Sequence, residues 1–232
     1  MAATVHEIGA EKNRVLVVDD FMDDPHLLIA QAKAMAPFKP EAETYYPGLR
    51  RFITLEDRDS EQHVEEALEA LAPLIGQVFG VRTFTPVEAS FCLVTKQPAE
   101  LKPGQRVPHY DTHDPGFFAA LHYLSPNAEA LGGTSFYRHR ATGFERISPE
   151  REATYDQARR REIETHGLPP ARYFDGSTDQ FERIARFDGR FNRLLIYRGS
   201  VLHSGDVPDG FTFSADPAVG RLTCNIFFRA LS

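Results

Sequence analysis

The 232-residue chain predicts a mainly β protein, a sandwich or jelly roll with flanking helices. Three observations carry this. From residue 82 onward the apolar residues fall in short aromatic or β-branched runs separated by Pro, Gly or Asn. Eighteen Phe and eight Tyr with no Trp suit the aromatic core of packed sheets. Ahead of residue 82, two stretches place apolar residues at helical spacing and read as supports behind a sheet.

The elements follow in order. Residues 14–19 (RVLVVD) form a first strand. Asp24 and Pro25 open a helix carrying Leu27, Leu28, Ala32 and Met35, which Pro37 ends. Residues 51–54 add a strand. Ser60 caps a second helix, with Val64, Leu68, Leu71, Ile75 and Val78 on one face and Gly80 as its stop. Strands are then expected at 82–86, 89–96, 107–111, 117–125, 134–137, 193–197, 200–203 and 221–229. Residues 138–190 read as a helical insertion, with one helix from Ser148 and Pro149 to near Gly167 and a short one over 178–185. Twelve Arg in residues 138–193 are balanced by ten acidic residues, so the segment is a solvated, ion-paired face or a lid rather than a basic patch.

Composition narrows the function classes. A net charge of −7 argues against nucleic-acid binding, which needs a positive surface. No apolar stretch is long enough to span a bilayer, and the first residues lack the apolar core of a signal peptide. The expectation is a cytoplasmic protein with no membrane and no nucleic-acid partner. Cys92 and Cys224 both lie in apolar runs and are expected as buried thiols.

The chemistry centres on PHYDTHDPGFFAALHYLSP, residues 108–126. His109 and Asp111 stand two apart, and in a strand residues i and i+2 share a face. Two histidines and one carboxylate on one face of an iron ion leave the opposite face open. The third ligand must come from a distant strand, and His203, after Gly199-Ser200-Val201-Leu202, is the candidate. Arg221, Thr223 and Asn225 share one face of a later strand. A guanidinium beside a hydroxyl suits bidentate capture of a carboxylate. Among the other histidines, His113 precedes the Asp114-Pro115-Gly116 turn and falls outside the ligand set. His122 alternates with Tyr123 and faces away. His139 and His166 are expected on the surface of the insertion.

The ordered set His109-x-Asp111, Tyr123-Leu124, Gly132-Gly133-Thr134-Ser135-Phe136, His203 in GSVLH, and Gly220-Arg221 resembles the 2-oxoglutarate and Fe(II)-dependent dioxygenases, nearest the prolyl-4-hydroxylase type. The match covers about residues 89–137 and 191–230. The resemblance implies one oxygenase domain over residues 1–232 with a double-stranded β-helix (jelly roll, cupin-like) core. In it residues 1–81 hold the N-terminal strand and supporting helices, 82–137 and 191–232 form the core, and 138–190 form the insertion. It implies His109, Asp111 and His203 as Fe(II) ligands and catalytic centre. Arg221 would salt-bridge the distal carboxylate of 2-oxoglutarate and Tyr123 would hydrogen-bond it, with Thr223 and Asn225 beside them and O2 as co-substrate.

Two features depart from the family pattern. Residues 210–220 (GFTFSADPAVG) lengthen the spacing between His203 and Arg221, and the 138–190 insertion is unusual. Halogenases of this fold carry a small residue where Asp111 stands, so the resemblance implies a hydroxylase acting on a small molecule, peptide or protein. Two other readings are a noncatalytic metal-binding jelly roll and a cupin-like metalloenzyme that does not use 2-oxoglutarate. The intact ligand set counts against the first and Arg221 against the second. Nothing in the sequence signals an oligomeric state.

Overall fold

A computed structural model describes residues 2–40 and 45–231. The first third of the chain contributes β1 (Ala2–Ile8), β2 (Asn13–Asp19), α1 (His26–Ala34), β3 (Gly48–Phe52) and α2 (Arg58–Phe79). Then come β4 (Phe84–Val94), β5 (Phe117–Tyr123), β6 (Gly133–His139) and α3 (Pro149–His166). The chain closes with β7 (Phe181–Asp188), β8 (Leu194–Arg198), β9 (His203–Gly205) and β10 (Leu222–Ala230). One antiparallel sheet has the order β1-β2-β8-β5-β10-β4-β3, and a second has the order β7-β6-β9. This is the expected mainly β fold with flanking helices. Among the described residues, no helix is long and apolar enough to cross a membrane.

Helices α1 and α2 buttress the outer face of the large sheet, as their spacing predicts. Leu28, Ile29, Ala32, Val64, Leu68, Leu71 and Ile75 bury against Leu16, Phe91, Phe118, Ile196, Cys224 and Phe228. Gly80 ends α2 in the left-handed region at φ +73, donating its N–H to the Gly76 carbonyl. Helix α2 begins at Arg58, ahead of the expected cap. Asp57 takes up the Thr54 N–H and hydroxyl, while Ser60 is buried and donates to Gln31. The inner face packs Val15, Ala119, Leu121, Tyr123, Leu195 and Tyr197 against Phe136 and Val201 of the opposing layer.

Four local expectations change. Strand β1 pairs with β2 from Ala2 opposite Asp19 to Ile8 opposite Asn13. Only Ile8 of its seven residues is buried, so it carries no hydrophobic signal. Residues 82–86 and 89–96 join in the single strand β4. Opposite it, Phe227 pairs with Glu88 and Phe228 with Pro86, so Val87 is a bulge that absorbs the proline.

The short helix expected over 178–185 is a strand, β7, paired with β6. Phe136 faces Ala185 and Tyr137 faces Arg183, leaving Ile184 as an extra residue. That bulge breaks the two-residue alternation and makes the sequence imitate a helical period. Residues 107–111 form no strand. Pro108 has no N–H to donate, and the segment meets β9 through one bridge, His109 opposite His203.

Candidate metal centre

The one bridge is enough to assemble the metal ligands. His109 and His203 each donate a backbone N–H to the other's carbonyl, at 2.9 and 2.8 Å. Asp111 donates its N–H to the Gly199 carbonyl at 2.7 Å, which fixes its backbone two residues further along. Ligand atoms of His109, Asp111 and His203 all lie within 4.8 Å of one another. Asp111 Oδ1 stands 3.8 Å from His203 Nε2 and 4.0 Å from His109 Nε2. Both separations are within twice a metal–ligand bond of about 2.1 Å, so the three donors fit a single ion. Among the described residues this is the one such group.

The surroundings prepare these donors. His203 is buried, and its Nδ1–H donates to the Val201 carbonyl at 2.8 Å, which leaves the Nε2 lone pair free. Burial pushes its pKa down to about 4. The surrounding cleft walls and then the neighbouring His203 push His109 down as well, to about 4, although 48% of its side chain is exposed. Both shifts favour the neutral imidazoles that metal binding requires. Burial raises Asp111 to about 6. The donor set is two neutral imidazoles and one carboxylate that favours a cation beside it.

Beside this centre lies a buried cation without an anion. Arg221 is 5% exposed, and no described carboxylate pairs with it. Its Nη2 donates to the Gly133 carbonyl at 3.0 Å, and its guanidinium lies 5.3 Å from the centre of the Tyr123 ring. Its Nε, the Thr223 hydroxyl and Asn225 Oδ1 are buried with no hydrogen-bond partner. Such orphaned groups are costly, and the two donors, Arg221 Nε and the Thr223 hydroxyl, mark a place for an anionic ligand. Thr223 pairs across the sheet with Tyr123, whose hydroxyl is 2.8 Å from Thr134 Oγ1. Of the seven residues singled out from the sequence, His109, Asp111 and His203 form the metal group and Arg221, Tyr123 and Thr223 cluster together, while Asn225 borders the cleft with the metal donors.

The metal donors line a cleft of about 900 Å³, which Asn225 also borders. Its sheet wall carries Arg50, Glu88, Phe117 and Phe227, and α3 supplies Tyr155, Asp156 and Arg159 opposite. The helix is held there by Tyr110, whose hydroxyl donates to Glu152 at 3.4 Å and whose ring meets Tyr155 edge-on. His113 also reaches Glu152, at 3.3 Å, and stays out of the metal group. His122 is buried on the far face against Phe21, 3.1 Å from Asn192 Oδ1. His166 is exposed, but His139 is fully buried. It bonds Thr142 and Glu162, because α3 folds back over β6 and covers it.

Sequence reasoning missed Arg50, Glu88 and Gly199. A Cβ on Gly199 would stand 2.8 Å from Phe117 Cδ1 and 3.0 Å from Asp111 Oδ2, so only glycine leaves the carboxylate its room. Arg50 and Glu88 carry no local signal, since their place in the cleft depends on strand register. Both thiols are buried as expected. Cys92, however, shares the cross-strand row of Arg50 and Thr223, on the site side of the sheet.

Residues 1–228 match the profile of a family of unknown function, DUF6445. The chain belongs to that family. No curated protein matches this DUF6445 chain in sequence. Among solved structures, it is similar to SnoN, a non-heme alpha-ketoglutarate-dependent epimerase from nogalamycin biosynthesis. The identity is 11%, the TM-score 0.56, and the match covers 95% of this chain and 79% of SnoN. It is also similar to HygX from Streptomyces hygroscopicus, solved with nickel and 2-oxoglutarate bound. There the identity is 11% and the TM-score 0.54, over 95% of this chain and 84% of HygX. These likenesses establish the fold of this DUF6445 protein as the jelly roll of 2-oxoglutarate-dependent enzymes.

Proposed function

We propose that the protein is an Fe(II)- and 2-oxoglutarate-dependent oxygenase, in its simplest form a hydroxylase, acting on a small organic substrate. The observation that carries this is the pairing of a His-Asp-His donor group with a buried, anion-less Arg221 in one site. A metal-binding module without a carboxylate co-substrate has no use for a buried unpaired guanidinium, which costs stability.

His109, Asp111 and His203 would hold the metal, and Asp111 would offset part of its charge. Arg221 and Thr223 would grip the far carboxylate of 2-oxoglutarate, with Asn225 and Tyr123 beside them. Iron, 2-oxoglutarate and O2 together supply the oxidising power, with the co-substrate lost as succinate and carbon dioxide. The cleft size and its aromatic lining suit a small-molecule guest, whose target carbon the walls would hold over the metal.

The test is an anaerobic titration of the protein with Fe(II) and 2-oxoglutarate, followed in the visible range. A charge-transfer band, then succinate formation on admitting oxygen, is the expected result. Absence of the band, or a band that survives Asp111→Ala, overturns the reading.

A further inference from the structure

One charged pair on the cleft wall has unused bonding capacity. Arg50 lies opposite Cys92, and Cys92 lies opposite Thr223, so Arg50 shares the site-facing row of the sheet. Its guanidinium stacks over Phe52 at 4.6 Å, and Nη2 donates to Ser90 Oγ at 3.1 Å and to Glu88 Oε1. The two side chains are 16% and 35% exposed, and both border the cleft that holds His109, Asp111 and His203. Among the described residues, Nε and Nη1 of Arg50 and Oε2 of Glu88 make no hydrogen bond to nitrogen or oxygen.

The other cations near the site are committed. Arg159, across the cleft, is taken by Glu162, Gln180 and the face of Phe181. Arg221 belongs to the co-substrate in the reading above.

The charge pattern selects a class of guest. A lone carboxylate reaching Arg50 would be repelled by Glu88, and a lone ammonium reaching Glu88 would be repelled by Arg50. A zwitterion satisfies both, and placing a neutral pair of charges against another neutral pair buries no net charge. Val87, Phe117 and Phe227, which line the cleft beside the pair, favour an apolar side chain.

We propose that Arg50 and Glu88 bind the carboxylate and ammonium of an α-amino acid with an apolar or aromatic side chain, presenting that side chain to the metal. The proposal deepens the oxygenase reading and rests on it for the chemistry, while the binding itself needs no turnover.

The test is calorimetric titration of the anaerobic protein, loaded with Fe(II) and 2-oxoglutarate, with the proteinogenic L-amino acids. L-Phenylalanine is then compared, with the best binder, against the analogues that lack the amine (3-phenylpropanoate) or the carboxylate (phenethylamine). At least one apolar amino acid should bind, with each analogue about tenfold or more weaker, as expected for charged hydrogen bonds. Arg50→Met should remove the preference for the carboxylate, and Glu88→Gln the preference for the ammonium, both with the charge-transfer band intact.

No amino acid binding in the presence of the band overturns the proposal, as does unchanged binding in both variants. Loss of the band in Arg50→Met would assign Arg50 to the co-substrate and overturn it too. So would loss of the ammonium preference in Asp156→Asn instead of Glu88→Gln. If Arg50→Met does not fold, Arg50→Lys and Glu88→Gln decide with the same ligands. If the wild type shows no band, the oxygenase reading fails by itself, and titration of the metal-free protein still decides whether the pair binds amino acids.

Discussion

His109 and His203 exchange both backbone hydrogen bonds, and their rings stand 4.3 Å apart. The backbone pairing by itself therefore brings two of the three candidate metal donors together. Asp111 supplies the charge. Asp111→Ala should keep the bridge and the melting temperature while lowering Fe(II) affinity about 100-fold or more, beyond the loss typical of supporting residues. Metal titration beside thermal unfolding checks it, and unchanged affinity would remove Asp111 from the ligand set.

Metal affinity should depend on pH with a defined sign. Asp111 titrates at about 6 and the two histidines at about 4. Above pH 7 all three are free of protons and affinity is flat. As pH falls through 6, one proton on Asp111 competes with the metal, and affinity drops about tenfold per unit. Calorimetry between pH 5 and 7.5 should find at most one proton released per metal. Two protons released near pH 6 would mean that a histidine titrates there.

Gly199 sets the room around Asp111. In Gly199→Ala the new methyl meets Phe117 and the carboxylate, so Asp111 must turn away. We expect metal affinity to fall about tenfold or more, with a smaller effect on unfolding, since the displaced groups are side-chain ends. Comparing metal titration with a denaturant melt separates the two effects.

Arg221→Met should divide function from stability. Among the described residues no carboxylate pairs with this buried guanidinium, so the substitution should leave the melting temperature unchanged or raise it. Added 2-oxoglutarate with metal should raise the melting temperature of the wild type and not of the variant. A variant that melts well below the wild type in the absence of 2-oxoglutarate would show that the contacts of Arg221 with Gly133 and Tyr123 outweigh the cost of burying its charge.

Glu145 is a structural counterpart. Fully buried, it accepts hydrogen bonds from the Ala10 and Glu11 N–H groups, Asn13 Nδ2 and the Arg138 guanidinium. It ties the β1–β2 turn to the segment after β6. Glu145→Ala strands these donors and should cost about 3–5 kcal/mol, or roughly 10 °C in melting temperature, while leaving the metal donors in place.

The His-Asp-His group was legible in the sequence because His109-x-Asp111 and His203 are a rare combination, although only His203 lies in a strand. The buttress helices were legible because Val64, Leu68, Leu71 and Ile75 repeat at helical spacing and all bury. Three things were hidden for physical reasons. The bulge at Ile184 disguised β7 as a helix. The burial of His139 depends on where α3 lands, which no local pattern encodes. Arg50 reaches the cleft only through its register with Cys92 and Thr223, and either of the two adjacent arginines in this five-residue strand looks like any surface charge.

Strand β3 is the last in its sheet and is hydrogen-bonded on one side only. The strand that holds Tyr123, and the strand that Arg221 immediately precedes, lie in the sheet's interior and are paired on both sides, so a change there disturbs two neighbours. The edge can vary at less cost. On the proposed reading, the co-substrate contacts would lie at the middle of the large sheet, and Arg50, half of the guest-binding pair, would lie at its margin. Exchanging the residue at Arg50 is then a route by which such a scaffold could acquire a new substrate while keeping its chemistry.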